Sequence, residues 1–237
     1  MSIVLEVCVD DPAGVIAAVD GGADRIELCS SLSAGGLTPS AGLIRFMSGY
    51  SVRAIAMIRP RAGGFVWSGP EIETMLHDIA AVQAAGLAGV VLGASRADGT
   101  LDTKTLRHLV AASGGLGLTL HRCFDLTPDP VAALEEAIEI GFHRILTSGQ
   151  ALRAWDGRDL VARLYERAAG RIAIMPGSGI GPKEAAHFSA LGFREIHSSC
   201  RRPQLISCPE VAFGFADAEM AQTDPARVRT IRAACEG

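Results

Sequence analysis

Short apolar runs rich in β-branched residues alternate along the chain with longer stretches of helical pattern. The runs begin at intervals of roughly 20 to 36 residues and have the length and composition of buried strands. There are eight of them: Ile3–Val9, Arg25–Cys29, Val52–Ile58, Gly89–Leu92, Leu116–His121, Arg144–Thr147, Arg171–Met175 and Phe193–His197. The pattern therefore predicts eight strands, each followed by a helix.

Start and stop signals frame the helical stretches. A proline in the first turn suits the fixed φ of a helix start, and such prolines occur at Pro12, Pro70, Pro130 and Pro182. The stop signals are glycines shortly before the next strand, at Gly86, Gly141, Gly170 and Gly192. These signals support separate, short helices between the strands.

Strands that alternate with helices form a parallel sheet. A doubly wound open sheet competes with a closed barrel, but the count of eight units of similar size and the length of 237 residues favour the barrel. We therefore predict one domain over residues 1–237, a single-domain (β/α)₈ TIM-like barrel. Residues 198 to 224 are expected to form a long loop before a closing helix, Asp224 to Cys235.

Composition excludes several classes of function. The net charge of −4 argues against a nucleic-acid footprint, which needs clustered lysine and arginine. The apolar runs are all shorter than the roughly 18 residues of a membrane span, and the N-terminus lacks a secretory signal pattern. We expect a cytoplasmic protein. None of the six cysteines forms a C-x-x-C motif, so free thiols or metal ligands are expected rather than disulfides.

Alternation along the strands predicts which side chains face the barrel axis. In the first strand Glu6 and Cys8 share the polar face, and in the second strand Glu27 and Cys29 do, which repeats an E-x-C pattern. Later strands bring further polar side chains to the same end, and the convergent set is Glu6, Glu27, Arg59, His121, Thr147 and His197.

Two carboxylates, two imidazoles and a guanidinium at one end of a barrel can support acid–base chemistry. The competing interpretation is an ion-pair network that only fills the barrel interior. We favour a functional pocket, because ionisable groups on five separate strands are costly to bury without a use. His121 and Glu27 would lead as the acid–base pair, Glu6 and His197 would set their pKa values, and Arg59 would hold an anion.

A glycine-rich segment follows the seventh strand and leads into a helix. Gly177, Ser178 and Gly179 could let backbone amides approach an anion, and loops after strands seven and eight of barrels often hold a phosphate. A tight turn that needs glycine for its conformation alone explains the segment equally well.

The paired cysteines allow two interpretations. A buried free cysteine often acts as a small hydrophobic residue. Alternatively, the thiolates of Cys8 and Cys29 face each other from neighbouring strands, and two soft sulfur ligands suit Cu(I) better than the four-ligand geometry of zinc.

Several blocks resemble the CutC copper homeostasis family. They are Leu5–Val9, the run Gly21–Ser30 (GGADRIELCS), Met57–Arg61 (MIRPR), His121–Asp125 (HRCFD), Leu146–Gly149 and Ile174–Gly177. The resemblance covers nearly the whole chain. It implies a cytoplasmic TIM-like barrel that forms homo-oligomers, with a dimer as the default, and a role in copper homeostasis with Cys8 and Cys29 as copper ligands.

Two functions follow as hypotheses. One is a copper homeostasis protein that binds Cu(I) through Cys8 and Cys29. The other is an isomerase, lyase or hydrolase that acts on a small anionic or phosphorylated substrate, with no nucleic acid or membrane as partner.

Overall fold

A computed structural model describes residues 3–236, and it contains the predicted barrel. Eight parallel strands lie in the order β7-β6-β5-β4-β3-β2-β1-β8. Their bounds are β1 Val4–Val9, β2 Arg25–Leu28, β3 Arg53–Met57, β4 Gly89–Leu92, β5 Gly117–Leu120, β6 Arg144–Thr147, β7 Ala173–Pro176 and β8 Glu195–Ser198. Across residues 3–236 no hydrogen-bonded ladder joins β7 to β8, so the barrel is nearly closed, with a seam between these two strands.

Helices cover the outside of the barrel. They are α1 Pro12–Gly21, α2 Ala41–Met47, α3 Gly69–Ala84, α4 Thr103–Ala112, α5 Pro130–Ile140, α6 Arg158–Ala168 and α7 Pro182–Ala190, with a last helix, α9, at Pro225–Cys235. The start signals act as predicted, since Asp11 caps α1 through the amide of Gly14 at 2.6 Å and Asp129 caps α5 through Val131 and Ala132.

The two faces of each strand have different surroundings. Leu5, Val7 and Val9 are buried in the main hydrophobic core, where the strands pack against the helices. Cys29 faces the barrel interior, in a smaller buried cluster with Ile55, Met57 and Val91. The predicted assignment of inward and outward positions is therefore confirmed for these strands.

The expectation of a long loop between residues 198 and 224 is wrong. This segment contains an antiparallel hairpin of β9 Arg201–Leu205 and β10 Glu219–Thr223, with a short helix α8 Pro209–Ala212 between them. Both strands are largely exposed, so neither carries the apolar alternation that marks a half-buried strand. The closing helix begins after the N-cap Asp224, as predicted. In the described part of the chain, no helix combines the length and the apolar composition needed to cross a bilayer.

Candidate functional site

A cavity of about 610 Å³ opens at the carboxyl ends of the barrel strands. Its lining comes from side chains on several strands, from the loops that follow β2, β3, β5, β6, β7 and β8, and from the first turns of α7 and α9. The strand residues that line it include Cys8, Glu27, Met57, Leu146, His197 and Ser198. This is the face of the barrel where the polar set was expected to converge.

An ion-pair network fills the barrel interior beneath this cavity. Arg25 pairs with both Glu6 and Glu195, and Arg144 donates to Glu195 at 2.9 Å. Burial alone would raise the pKa of Glu6, but Arg25 and His197 outweigh it and lower that pKa to about 2. The network that we considered as a competing interpretation therefore exists, and Glu6 belongs to it, in the layer below the cavity.

His197 connects this buried layer to the cavity. Its Nδ1 lies 2.8 Å from Glu6 Oε1, and its Nε2 lies 3.9 Å from Glu27 Oε2. Burial acts to lower the pKa of His197, but Cys8 and the carboxylates of Glu27 and Glu6 raise it well above its ordinary value of 6.5. The geometry thus favours a protonated imidazole at the base of the cavity.

The pKa of Glu27 is shifted in the opposite direction from that of Glu6. Burial raises the pKa of Glu27 to about 7, and the charge of Glu6 acts in the same direction, while the His197 cation opposes both. The carboxylate accepts from Cys29 Sγ at 3.5 Å through Oε2. Its other oxygen, Oε1, is buried and has no hydrogen-bond partner among residues 3–236. The surroundings of the two carboxylates thus move their pKa values in opposite directions, which is typical of acid–base sites.

His121 and Arg59 line the cavity on either side of Phe65. The rings of Phe65 and His121 are 4.7 Å apart, and the Arg59 guanidinium lies 5.1 Å from the Phe65 centroid. Burial, helped by the Arg59 charge, lowers the pKa of His121 to about 3, so this imidazole is neutral. Cys123 N donates to His121 Nδ1 at 3.1 Å, which places the ring proton on Nε2.

The side-chain hydrogen bonds that Arg59 makes within residues 3–236 all go to backbone carbonyls. It donates to Ala34, Gly36 and Gly63 at 2.9 to 3.0 Å, and its side chain makes no ion pair with a described carboxylate. Only 6% of Arg59 is exposed, and its Nε has no hydrogen-bond partner within residues 3–236. A buried guanidinium without a carboxylate favours an anionic ligand.

The thiols of Cys8 and Cys29 have different neighbours. Cys8 Sγ, a Glu27 oxygen and a His197 nitrogen lie within 4.8 Å of one another, and Cys29 is not a member of this group. In the β1–β2 ladder Cys8 lies opposite Glu27, two residues before Cys29. Burial raises the pKa of Cys29 well above 9. The stagger of the barrel therefore gives Cys8 a carboxylate and an imidazole as neighbours.

The glycine-rich segment divides into two parts. Ser178 and Gly179 line the cavity, whereas Gly177 packs against Leu146 and His197, where a Cβ would lie 2.4 Å from Leu146 Cδ1. Thr147, one of the residues expected to converge, points away from the cavity because its hydroxyl donates to Asp125 at 2.5 Å.

The structure thus brings Cys8, Glu27, Arg59, His121 and His197 to one cavity. Sequence patterns carry no signal for Phe65, Arg153 and Arg227, which line the same cavity from loops and from the first turn of α9. Loop positions lack the periodicity that assigned strand residues to the barrel axis.

Comparison with known proteins gives the family. The family model described as "CutC family" matches residues 3–202. A CutC family protein from Sinorhizobium medicae is 54% identical over 233 residues, which cover 98% of this chain and 95% of the relative. One from Agrobacterium fabrum is 50% identical and covers 97% of this chain and 93% of its own. The chain belongs to the CutC family.

Solved structures agree with this assignment. The structure described as a copper homeostasis protein CutC from Streptococcus agalactiae has a TM-score of 0.79 and 28% identity, and the match covers 84% of this chain and 99% of that one. A 3-hexulose-6-phosphate synthase from Salmonella typhimurium has a TM-score of 0.62 at 15% identity over 100% of this chain and 99% of its own. That second likeness shows only the shared barrel fold. The CutC family name identifies no reaction, so we infer the chemistry from the residues that line the cavity.

Proposed function

We propose that this CutC family member is an enzyme that carries out acid–base chemistry on a small anionic molecule in the barrel cavity. One observation carries the proposal. Five buried side-chain atoms among residues 3–236 have no hydrogen-bond partner, and three of them, Glu27 Oε1, Arg59 Nε and His121 Nε2, belong to cavity-lining residues. An unpaired buried polar atom costs about 1–3 kcal/mol, so three at one cavity are best explained by a ligand that pairs with them.

The three atoms have complementary roles. Arg59 Nε–H and His121 Nε2–H are donors, and because His121 is neutral it can stabilise negative charge on a ligand oxygen without giving up a proton. Glu27, with a pKa of about 7, can take or give a proton near neutral pH. A pair of donors and a carboxylate base in one cavity fit removal of a proton next to a carbonyl group, the first step of many isomerase and lyase reactions.

The test is a thermal-shift screen of the full chain against small carboxylates and phosphate monoesters. We expect at least one compound to raise the melting temperature of the wild type by mass action, and to lose that effect in Arg59→Met and His121→Phe. Arg163→Met is the matched control, since this exposed arginine on α6 lies away from the cavity. The proposal is wrong if each stabilising compound acts equally on the wild type and on both cavity variants.

The metal hypothesis is a second candidate, and one specific observation supports it. Cys8, Glu27 and His197 each offer a ligand atom within 4.8 Å of the other two, and all three residues are buried. Glu6 holds His197 Nδ1, so Nε2 is the nitrogen left for a metal, which is the usual arrangement of a carboxylate behind a ligating histidine. Sulfur and imidazole together suit copper, and a reducing cytoplasm would keep Cys8 as a thiol.

This candidate assigns the ligands differently from the paired-thiol hypothesis. An anaerobic Cu(I) titration against a calibrated chelator, with the full chain, separates the two. Ligation by Cys8, Glu27 and His197 predicts that Cys8→Ser and His197→Gln lose tight binding and that Cys29→Ser retains it. Equal loss in Cys8→Ser and Cys29→Ser would instead support paired thiols, and tight binding in all three variants would exclude both sites.

A further inference from the structure

One wall of the cavity carries backbone amides that have no hydrogen-bond acceptor among residues 3–236. Ser178, Gly179 and Ile180, from the loop between β7 and α7, and Ser199, just after β8, all line the cavity. Within residues 3–236 the amides of these four residues donate to no acceptor, whereas the flanking amides of Gly177 and Gly181 are both paired. The wall therefore offers four N–H donors from two adjacent loops.

Hydrogen bonds between loops hold these amides in place. Ser198 Oγ donates to Ile180 O at 2.8 Å, which ties the end of β8 to the loop after β7. Ser178 is tied to the loop after β6 through its hydroxyl, which donates to Leu152 O at 2.8 Å, and through its carbonyl, which accepts from Ala154 at 2.9 Å. Ser198 Oγ also accepts from the Cys200 amide at 3.2 Å, which holds the chain on either side of Ser199.

Positive charge accumulates around the same amides. Arg153 lies against Gly179 so closely that a Cβ there would be 2.7 Å from Arg153 Nε. Arg153 and Arg227 both line the cavity and form no ion pair with a described residue. Arg201 is neutralised by Asp10 at 2.8 Å, and the carboxylate of Glu184 accepts from the amide of Gly181 at 3.0 Å. The two unpaired guanidinium groups outnumber the one carboxylate, so this wall of the cavity carries a net positive charge.

A separate observation points to a ligand in the cavity. Arg59 and His121 line the same cavity and are only 6% and 3% exposed, and among residues 3–236 Arg59 Nε and His121 Nε2 have no hydrogen-bond partner. A ligand that pairs with these two atoms would share the cavity with the four amides.

From this arrangement we infer a phosphate subsite formed by the amides of Ser178, Gly179, Ile180 and Ser199 together with Arg153 and Arg227. This inference rests on the proposed function and adds that the substrate is a phosphate monoester. Several N–H donors that converge from two loops, with guanidinium groups beside them, suit a tetrahedral dianion better than a planar carboxylate. The phosphate would anchor the molecule while Glu27, Arg59 and His121 contact its reacting end.

The test uses inorganic phosphate as the probe and amide ¹H–¹⁵N spectra of the full chain as the readout. Saturable shifts are expected at the four amides, with little response to acetate at equal ionic strength. Arg153→Gln should weaken phosphate binding about tenfold or more, because a charge-assisted hydrogen bond is lost. Arg163→Gln, which removes the same charge from an exposed position on α6, should bind phosphate as the wild type does.

Two further variants make the outcome decisive. Gly179→Ala places a methyl group where the Arg153 guanidinium lies and should weaken phosphate binding without unfolding the barrel, which circular dichroism would check. Glu27→Gln should retain phosphate binding. A variant that loses catalysis but still binds phosphate would separate this inference from the proposed function. Shifts spread over surface arginines, or equal binding of phosphate by wild type and Arg153→Gln, would overturn the subsite.

Discussion

His197 Nδ1 lies 2.8 Å from Glu6 Oε1, so the imidazole of the last barrel strand is fixed by the carboxylate of the first. The two residues are opposite each other in the β1–β8 ladder. Because Arg25 occupies the second oxygen of Glu6, the carboxylate stays ionised and the imidazole above it stays protonated. The buried pair thus sets the charge beneath the cavity.

Glu6→Gln should destabilise the fold strongly. The substitution removes the anion that Arg25 and His197 share and leaves buried positive charge uncompensated, which costs about 3 kcal/mol or more in the free energy of unfolding. Urea denaturation at pH 7 measures this change. Glu135→Gln is the matched control, since Glu135 pairs with Arg167 and Arg171 at the surface and its loss should matter far less. Equal effects in the two variants would show that the pair does not stabilise the barrel.

Glu27 should make stability depend on pH between about 4.5 and 7. Its folded-state pKa of about 7 exceeds its ordinary value of 4.5, so the stability that it contributes is present below pH 4.5 and is lost as pH rises through 7. Glu27→Gln cannot ionise and escapes this loss. We expect the unfolding free energy of the variant, relative to wild type, to increase from pH 4.5 to pH 8 by about 3 kcal/mol.

Urea unfolding at both pH values measures this difference. Glu73→Gln, at an exposed position of α3, should follow the wild type at both. A difference for Glu27→Gln that does not change with pH would contradict the raised pKa.

Gly93→Ala should displace His121. A Cβ at Gly93 would lie 2.4 Å from His121 Cε1 and 2.5 Å from Cys123 Sγ, and overpacking of this kind costs about 1–3 kcal/mol. We expect lower stability together with loss of the ligand-induced thermal shift. Gly69→Ala is the control, because a Cβ there meets no atom within 4 Å. Wild-type behaviour of Gly93→Ala would mean that His121 does not occupy this position.

Thiol labelling should distinguish the cysteines by burial. Of the six free cysteines, Cys208 is the one that is not buried, so it should react first with a thiol reagent at neutral pH. Mass spectrometry of the modified peptides measures the order, and Cys208→Ser should remove the fast phase. Rapid modification of Cys29 or Cys123 in the folded protein would contradict their burial.

We expect a homo-oligomer, with a dimer as the default, and light scattering should then give a mass of about twice the 24.7 kDa of the chain. A mass of one chain at micromolar concentration would contradict this expectation.

The barrel could be predicted from sequence because its strands are buried and its helices are capped. The apolar run Gly89–Leu92 forms a buried strand, and Gly141 ends helix α5. Both outcomes depend on local sequence preferences that hold in the folded protein. The hairpin between Arg201 and Thr223 could not be predicted in this way. Its strands are held by backbone pairing and expose side chains on both faces, so the sequence there carries no periodic signal.

The candidate site was predictable in part for a related reason. Strand alternation assigns Glu6, Glu27 and His197 to the barrel interior, and the structure agrees. Alternation alone does not fix the stagger between neighbouring strands, which places Cys8 beside Glu27 and His197, apart from Cys29. It also cannot show that Phe65 packs on His121, since a loop has no fixed side-chain period.

The most direct test of the enzyme proposal is turnover in a mixture of natural small molecules. The purified protein is incubated with a bacterial metabolite extract, and the compounds that disappear or appear are followed by mass spectrometry beside Glu27→Gln and Glu73→Gln. We predict that wild type and Glu73→Gln convert the same small anionic compound and that Glu27→Gln does not. An extract unchanged by the wild type, or conversion that persists in Glu27→Gln, would contradict acid–base catalysis by Glu27 in this cavity.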